Sequence, residues 1–196
     1  MSVRFFGTEV CVTFPFAFLL ALLLASDRTG MMSVSLIAAA VHETGHLAAL
    51  YALKMPPKRI RLRLCGIQIS HTQLYVGALS RSVVAAAGPA ANFVLSVCLL
   101  PFSASPFAAQ LCAAGIVVGV FNLLPLSGLD GGDILRCLLG AVCKGKTVYI
   151  ISKAVDIAVS FMLLAVGIYI AAGPEQNPTM LIAAVYLAIY ALALHR

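Results

Sequence analysis

Hydrophobic residues run almost unbroken through six segments of the chain. The segments lie at about 10–25, 31–53, 82–100, 107–126, 149–172 and 178–194. A helix needs about 20 apolar residues to cross the hydrocarbon core of a bilayer. The pattern therefore predicts a polytopic α-helical membrane protein with about six transmembrane helices, forming one integral-membrane domain over residues 1–196. The first segment also has features of a cleaved signal peptide, with Arg4 as its basic flank.

Two stretches interrupt this pattern of apolar segments. Within residues 54–81, Ile60, Leu62 and Leu64 alternate with arginines. A period of two is typical of a strand with one solvent-exposed face. A second strand around residues 68–75, with Gly66 near the turn, completes a predicted membrane-associated β-hairpin between the second and third spans. The other interruption, residues 126–146, predicts a turn followed by a short amphipathic helix.

Composition and charge agree with a membrane protein and predict its orientation. The chain is 62% hydrophobic and 10% charged, whereas soluble domains carry roughly 25% charged residues. The net charge of +6 could indicate a nucleic-acid partner. With six spans, however, every Lys and Arg except Arg28 falls on one side, which the positive-inside rule assigns to the cytoplasm. We therefore expect no nucleic-acid partner, and we expect cytoplasmic N- and C-termini. The six cysteines form no CxxC pair and predict no cysteine zinc site.

The segment VHETGHLAAL, residues 41–50, places three ionisable side chains in the second span. His42 and His46 are four residues apart and share one helix face. Two imidazoles at this spacing can bind one zinc ion, with Glu43 beside a zinc-bound water. An ionised carboxylate at the bilayer centre costs about 3 kcal/mol or more, so we expect the cluster to have a binding partner. Two alternatives remain: a polar cluster satisfied by neighbouring helices, or a proton path in a transporter.

A catalytic zinc ion usually has three protein ligands and one open position. Asp130 and Asp133 follow the fourth span at a depth similar to that of the histidines, nearer the cytoplasmic face. The proline and glycines around them can break the helix and let an aspartate turn inward. As alternatives, Asp130 caps a helix that starts at Gly131, and Asp133 stabilises its first turn. Asp156, three residues after Lys153, is explained by an ion pair.

Three motifs in one order carry a resemblance to a known family. HETGH (42–46), GPAAN (88–92) and NLLPLSGLDGG (122–132) resemble the site-2 protease family, the intramembrane zinc metalloproteases of peptidase family M50. The resemblance covers a catalytic core at about 31–140. The remaining segment, 149–196, is expected to form two C-terminal transmembrane helices.

The resemblance implies a set of site residues. It implies Zn²⁺ held by His42, His46 and Asp130, with Glu43 as general base and acid. It also implies that Asn92 and Asn122 lie near the site and contact substrate, Asn122 by holding the substrate backbone or stabilising the oxyanion.

The resemblance also implies a substrate class and an architecture. The hairpin is similar to one that receives substrate as an added strand in the family, a role that suits exposed strand edges. We see no PDZ or nucleotide-binding domain, so the chain is most similar to the compact sporulation-type branch. Substrate identity and a sporulation role stay open.

The expected activity is hydrolysis of a peptide bond in or near the transmembrane segment of a membrane-anchored protein, in a prokaryotic cell membrane. A regulatory membrane partner or a homo-oligomer is left open. Two alternatives predict other features. A non-catalytic relative that binds membrane segments predicts loss of Glu43 or a ligand. A metal-handling transporter predicts a polar path and internal repeats.

Overall fold

A computed structural model describes most of the chain: residues 2–5, 8–12, 24–25, 27, 29–55, 59–63, 66–70, 77–173 and 178–194. Its helices are α1 (Met31–Ala52), α2 (Ala78–Leu99), α3 (Pro106–Asn122), α4 (Asp130–Val142), α5 (Gly145–Ala171) and α6 (Thr179–Leu194). One 3₁₀ turn, Leu100–Phe102, follows α2. The strands are β1 (Ser2–Phe5), β2 (Thr8–Val12), β3 (Arg59–Arg63) and β4 (Gly66–Ser70).

Five of these helices lie on the second to sixth predicted spans, and α4 is the predicted amphipathic helix. In the described part of the chain, Ala78–Phe102 and Gly145–Ala171 are long and apolar enough to cross a membrane. Pro106–Asn122 and Thr179–Ala191 are shorter apolar helices. Length and composition alone support a membrane protein, and the number of six spans stays a prediction.

The predicted start of the first span is wrong. Val10, Cys11 and Val12 belong to strand β2 rather than to a helix. β-branched residues such as Val10 and Val12 favour extended backbone, and β2 is paired with a strand on each side. Together these two effects outweigh the apolar character that predicted a helix. Residues 13–23 lie outside the described residues, so the rest of this span and the signal-peptide alternative stay untested.

The strands form one sheet in the order β1-β2-β3-β4. The β1–β2 and β3–β4 pairs are antiparallel, whereas β2 and β3 are parallel. The register places Val10 beside Ile60 and Ile60 beside Ile69. The second strand of the predicted hairpin begins earlier than expected, since Gly66 already pairs with Arg63. Residues 71–76, the end of the predicted strand, lie outside the described residues.

The chain divides into two compact units. The first comprises Met1–Gly77 and Ala87–Gly119, and the second comprises Ala78–Ala86 and Val120–Arg196. In the first unit, Val34, Ala38 and Leu111 form a buried apolar cluster. The second unit has its own apolar cluster, formed by Leu126, Leu163, Ala184, Leu187 and Ala191. The organisation as a single domain stays a prediction.

Helix α1 buries one stripe of side chains at every fourth position. The stripe consists of Val34, Ala38, His42, His46 and Leu50. Residues four apart lie on the same helix face. Asp27 caps the start of this helix. Its Oδ2 accepts hydrogen bonds from the backbone N–H groups of Met32 (3.0 Å) and Ser33 (3.1 Å), which have no acceptor within the helix. The histidines are thus part of the packed face of α1 and not of an exposed one.

Candidate metal centre

His42 and His46 form a close imidazole pair on the buried face of α1. Their Nε2 atoms are 3.1 Å apart. The rings meet edge to face, and the residues are only 5% and 8% exposed. Two nitrogens bound at 2.0–2.1 Å to one tetrahedral zinc ion are about 3.3 Å apart. The pair therefore has close to the spacing of two ligands of one ion, as the sequence predicts.

Gly88 of helix α2 faces this pair. A Cβ atom at Gly88 would lie 2.6 Å from Cε1 of His46 and 2.8 Å from Cε1 of His42, and nearer still to Nε2 of His46. The missing side chain lets the backbone of α2 pack closely against both imidazole rings. Gly45 has a similar role in packing, since its Cβ atom would lie 2.8 Å from Cβ of Ala91. Small residues at both positions let α1 and α2 approach closely.

Asn92 lies one turn after Gly88 and contacts the imidazole of His42. Its Nδ2 atom is 3.2 Å from Nδ1 of His42. The residue is 0% exposed. Its Oδ1 atom is buried and has no hydrogen-bond partner among the described residues. The structure thus links Asn92 to a proposed ligand, while its contact with substrate stays a prediction.

Glu43 follows His42 on the same helix and is half-buried. Successive residues of an α-helix are about 100° apart, which places Glu43 about 60° around the helix from His46. Its side chain therefore leaves the helix beside the imidazole pair. Its role as a general base stays a prediction at this point.

Asp130 is the first residue of helix α4. The cap position belongs to Leu129, which makes no capping hydrogen bond with its side chain, so the alternative role of Asp130 as a helix cap is wrong. Asp130 is half-buried, and its Oδ2 atom is shielded from solvent. Asp133, the other candidate, is ion-paired with Arg136, and its side chain is 62% exposed. The structure therefore favours Asp130 over Asp133 as a ligand.

A hydrogen-bond network holds the loop that precedes Asp130. The backbone N–H of Ser127 donates to Oδ1 of Asp156 at 2.7 Å, and Nη1 of Arg136 donates to the Ser127 hydroxyl at 2.8 Å. Asp156 is 4% exposed. The spacing of Asp156 and Lys153 predicts an ion pair and gives no sign of this anchoring role. The signal that could have indicated this role is the position of Asp156 on the buried face of α5, which consists of Ser152, Asp156, Leu163 and Gly167.

Asn122, the remaining predicted site residue, ends helix α3 and is half-buried. Its role toward substrate stays a prediction.

His42, His46 and Asp130 offer two imidazole nitrogens and one carboxylate oxygen, a set that can hold a metal ion. Nitrogen and oxygen donors of this kind suit zinc, and three protein ligands leave one position open. The residues present therefore fit a catalytic metal site.

Comparisons with known proteins give a family match over part of the chain and a similar solved structure. Residues 103–167, which include Asn122 and Asp130, match peptidase family M50. The fold is similar to that of a site-2 protease from Methanocaldococcus jannaschii, with a TM-score of 0.68 and 18% sequence identity over 100% of this chain and 96% of that chain. No curated protein matches the sequence. Part of the chain thus matches the M50 peptidase family, and the fold as a whole is similar to that of a site-2 protease.

Proposed function

We propose that the chain is an intramembrane zinc metalloprotease that cleaves a membrane-anchored protein in or near its transmembrane segment. The observation that carries this proposal is the buried imidazole pair, whose Nε2 atoms are 3.1 Å apart on a largely apolar helix. The adjacent Glu43 and the M50 match over residues 103–167 support it further.

The proposed ligands are His42, His46 and Asp130. When bound, zinc supplies Lewis acidity, which polarises a carbonyl group and lowers the pKa of water at the site. Gly88 keeps the space beside the histidines free of side-chain atoms. The network around Ser127 holds the loop that leads to Asp130.

Glu43 is the proposed general base and acid. It accepts a proton from the attacking water and transfers it to the leaving amine, a role worth about 10²–10⁴-fold in rate. Its position next to His42 puts the carboxylate and the two histidine ligands on one helix. We assign Asn122 to the substrate backbone or the developing oxyanion, where a side-chain amide can donate a hydrogen bond.

A peptide bond inside a helix is shielded by the turns around it, so the substrate must be extended at the cleavage site. The edge strands β1 and β4 can each pair with an extended peptide, because main-chain hydrogen bonding gives affinity for an added strand. We propose that a substrate is held in this way. From the distribution of Lys and Arg, we place cleavage nearer the cytoplasmic face.

The test combines zinc content with cleavage of single-span membrane proteins in detergent or vesicles. Wild type should hold about one zinc ion per chain, as expected for a catalytic site of this type. Glu43→Gln should keep zinc and lose cleavage, whereas Asp130→Ala should lose both. Asp133→Ala is the matched control, since this exposed aspartate in the same helix should be dispensable. Cleavage that survives Glu43→Gln, or a wild type without zinc, contradicts the proposal.

A further inference from the structure

We infer that Asn92 is a positioning residue that fixes the tautomer of His42 for metal binding. The inference rests on the proposed function, because it concerns the same site. It differs from the substrate contact that the family resemblance implies for Asn92. The observations behind it are the short contact with His42 and the buried amide oxygen of Asn92.

An imidazole that binds a metal through Nε2 carries its proton on Nδ1. Such histidines almost always donate this second N–H group to an acceptor, which fixes the ring orientation and raises the basicity of the ligand. Nε2 of His42 faces Nε2 of His46, and its Nδ1 faces the amide of Asn92 at 3.2 Å. Asn92 is therefore the side chain placed to accept the Nδ1 proton.

The orientation of an amide follows from its hydrogen bonds, since rotation by 180° exchanges its oxygen and nitrogen. With Nδ2 toward His42, the amide donates to Nδ1, and the ring must carry its proton on Nε2. That proton then points at Nε2 of His46, and Oδ1 of Asn92 stays buried without a partner. With Oδ1 toward His42, the amide accepts the Nδ1 proton and the Nε2 lone pair of His42 is free for a metal.

Because Asn92 is buried, the tautomer of His42 depends on the Asn92 amide and not on solvent. The residue is 0% exposed, so bulk water does not reach the amide to replace it as an acceptor. Its helix is held in place one turn later by Ser96, whose hydroxyl contacts the carbonyl oxygens of Asn92 and Cys112. The amide is thus presented to His42 from a packed, regular backbone.

The experiment compares the zinc affinity of Asn92→Leu, Asn92→Asp and wild type, by competition with a chelator. Leucine has a similar shape but no acceptor, so the affinity should fall about 10–100-fold. Aspartate keeps an acceptor, so its affinity should stay within a few-fold of wild type. Ser82→Ala is the control on the same helix, since the Ser82 hydroxyl donates to the carbonyl oxygen of Ala78, and it should bind zinc like wild type. A leucine variant as tight as wild type, or an aspartate variant as weak as leucine, overturns the inference.

A second measurement does not require the leucine variant to fold. Zinc-loaded protein with ¹⁵N-labelled histidine, in a His71→Gln and His195→Gln background, should show a proton on Nδ1 of His42. A His42 with an unprotonated Nδ1 contradicts the inference. The two proposals fail separately: a wild type that holds no zinc overturns the proposed function, whereas equal affinity of wild type and Asn92→Leu overturns only the role of Asn92.

Discussion

Replacing Gly88 by alanine tests whether zinc binding depends on the close contact between helix α2 and the two histidines. The added methyl group would lie 2.6 Å from Cε1 of His46 and 2.8 Å from Cε1 of His42, whereas ordinary contacts begin at 3.4 Å. Because Nε2 of His46 is nearer still, the rings or helix α2 must move by at least about 0.8 Å, a shift that overpacked cores commonly undergo at a cost of about 1–3 kcal/mol. A protein of ordinary stability tolerates this cost.

The metal site should not tolerate the shift. Distances between zinc and its ligands vary by only about 0.2 Å, several times less than the displacement of the rings. We expect Gly88→Ala to lower the apparent zinc affinity by more than about 100-fold, beyond the usual effect of residues that only support a ligand. The protein should still fold, so cleavage should be lost together with zinc and not through unfolding.

The assay is zinc affinity by chelator competition, with circular dichroism and thermal unfolding as measures of folding. Gly140→Ala is the matched control, because a Cβ atom there would meet nothing within 4 Å. It should bind zinc like wild type and unfold at the same or a slightly higher temperature. Full zinc affinity in a folded Gly88→Ala variant would refute the argument that metal binding needs the histidine rings in their present positions.

Two further predictions concern the acidic residues outside the ligand set. Asp156→Leu leaves the backbone N–H of Ser127 without its carboxylate acceptor, which should lower the free energy of unfolding by about 1–3 kcal/mol in chemical denaturation. Asp156→Asn retains an acceptor and should lie between leucine and wild type, and equal stability of all three would contradict the anchoring role. Desolvation raises the pKa of Asp27, but hydrogen bonds from Ser33, Thr29 and Gly30 outweigh it and hold the pKa below its usual value. Asp27 should therefore stabilise α1 above pH 4 and lose this effect as the pH falls through its folded-state pKa, so thermal unfolding of Asp27→Asn should change less with pH in this range.

The helices and the imidazole pair are predictable because their signals are local. The apolar run of α1 begins after Gly30, and its predicted and observed ends differ by one residue. The spacing of His42 and His46 alone places both rings on one helix face. Helix α4 is predictable from its position after a turn rich in glycine. None of these features depends on how distant parts of the chain pack.

The missed features all depend on contacts between distant residues. Strand β2 runs directly into an apolar segment, and a short apolar strand cannot be distinguished from the start of a helix by periodicity. Its identity as a strand depends on β3, far along the chain. The contact of Asn92 with His42 and that of Ser127 with Asp156 require the packing of separate helices. No local pattern contains this information.

The parallel pairing of β2 with β3 also sets an order of folding. Parallel neighbours need a long crossover connection, and here the chain between the two strands contains the whole of α1. The β1–β2 and β3–β4 hairpins can close locally and early, whereas the β2–β3 pair must wait until the ribosome has made residue 59. The entropic cost of closing a long loop then makes this pair the slow step in completing the sheet. The sheet can therefore be completed only after the helix with the histidines has been made.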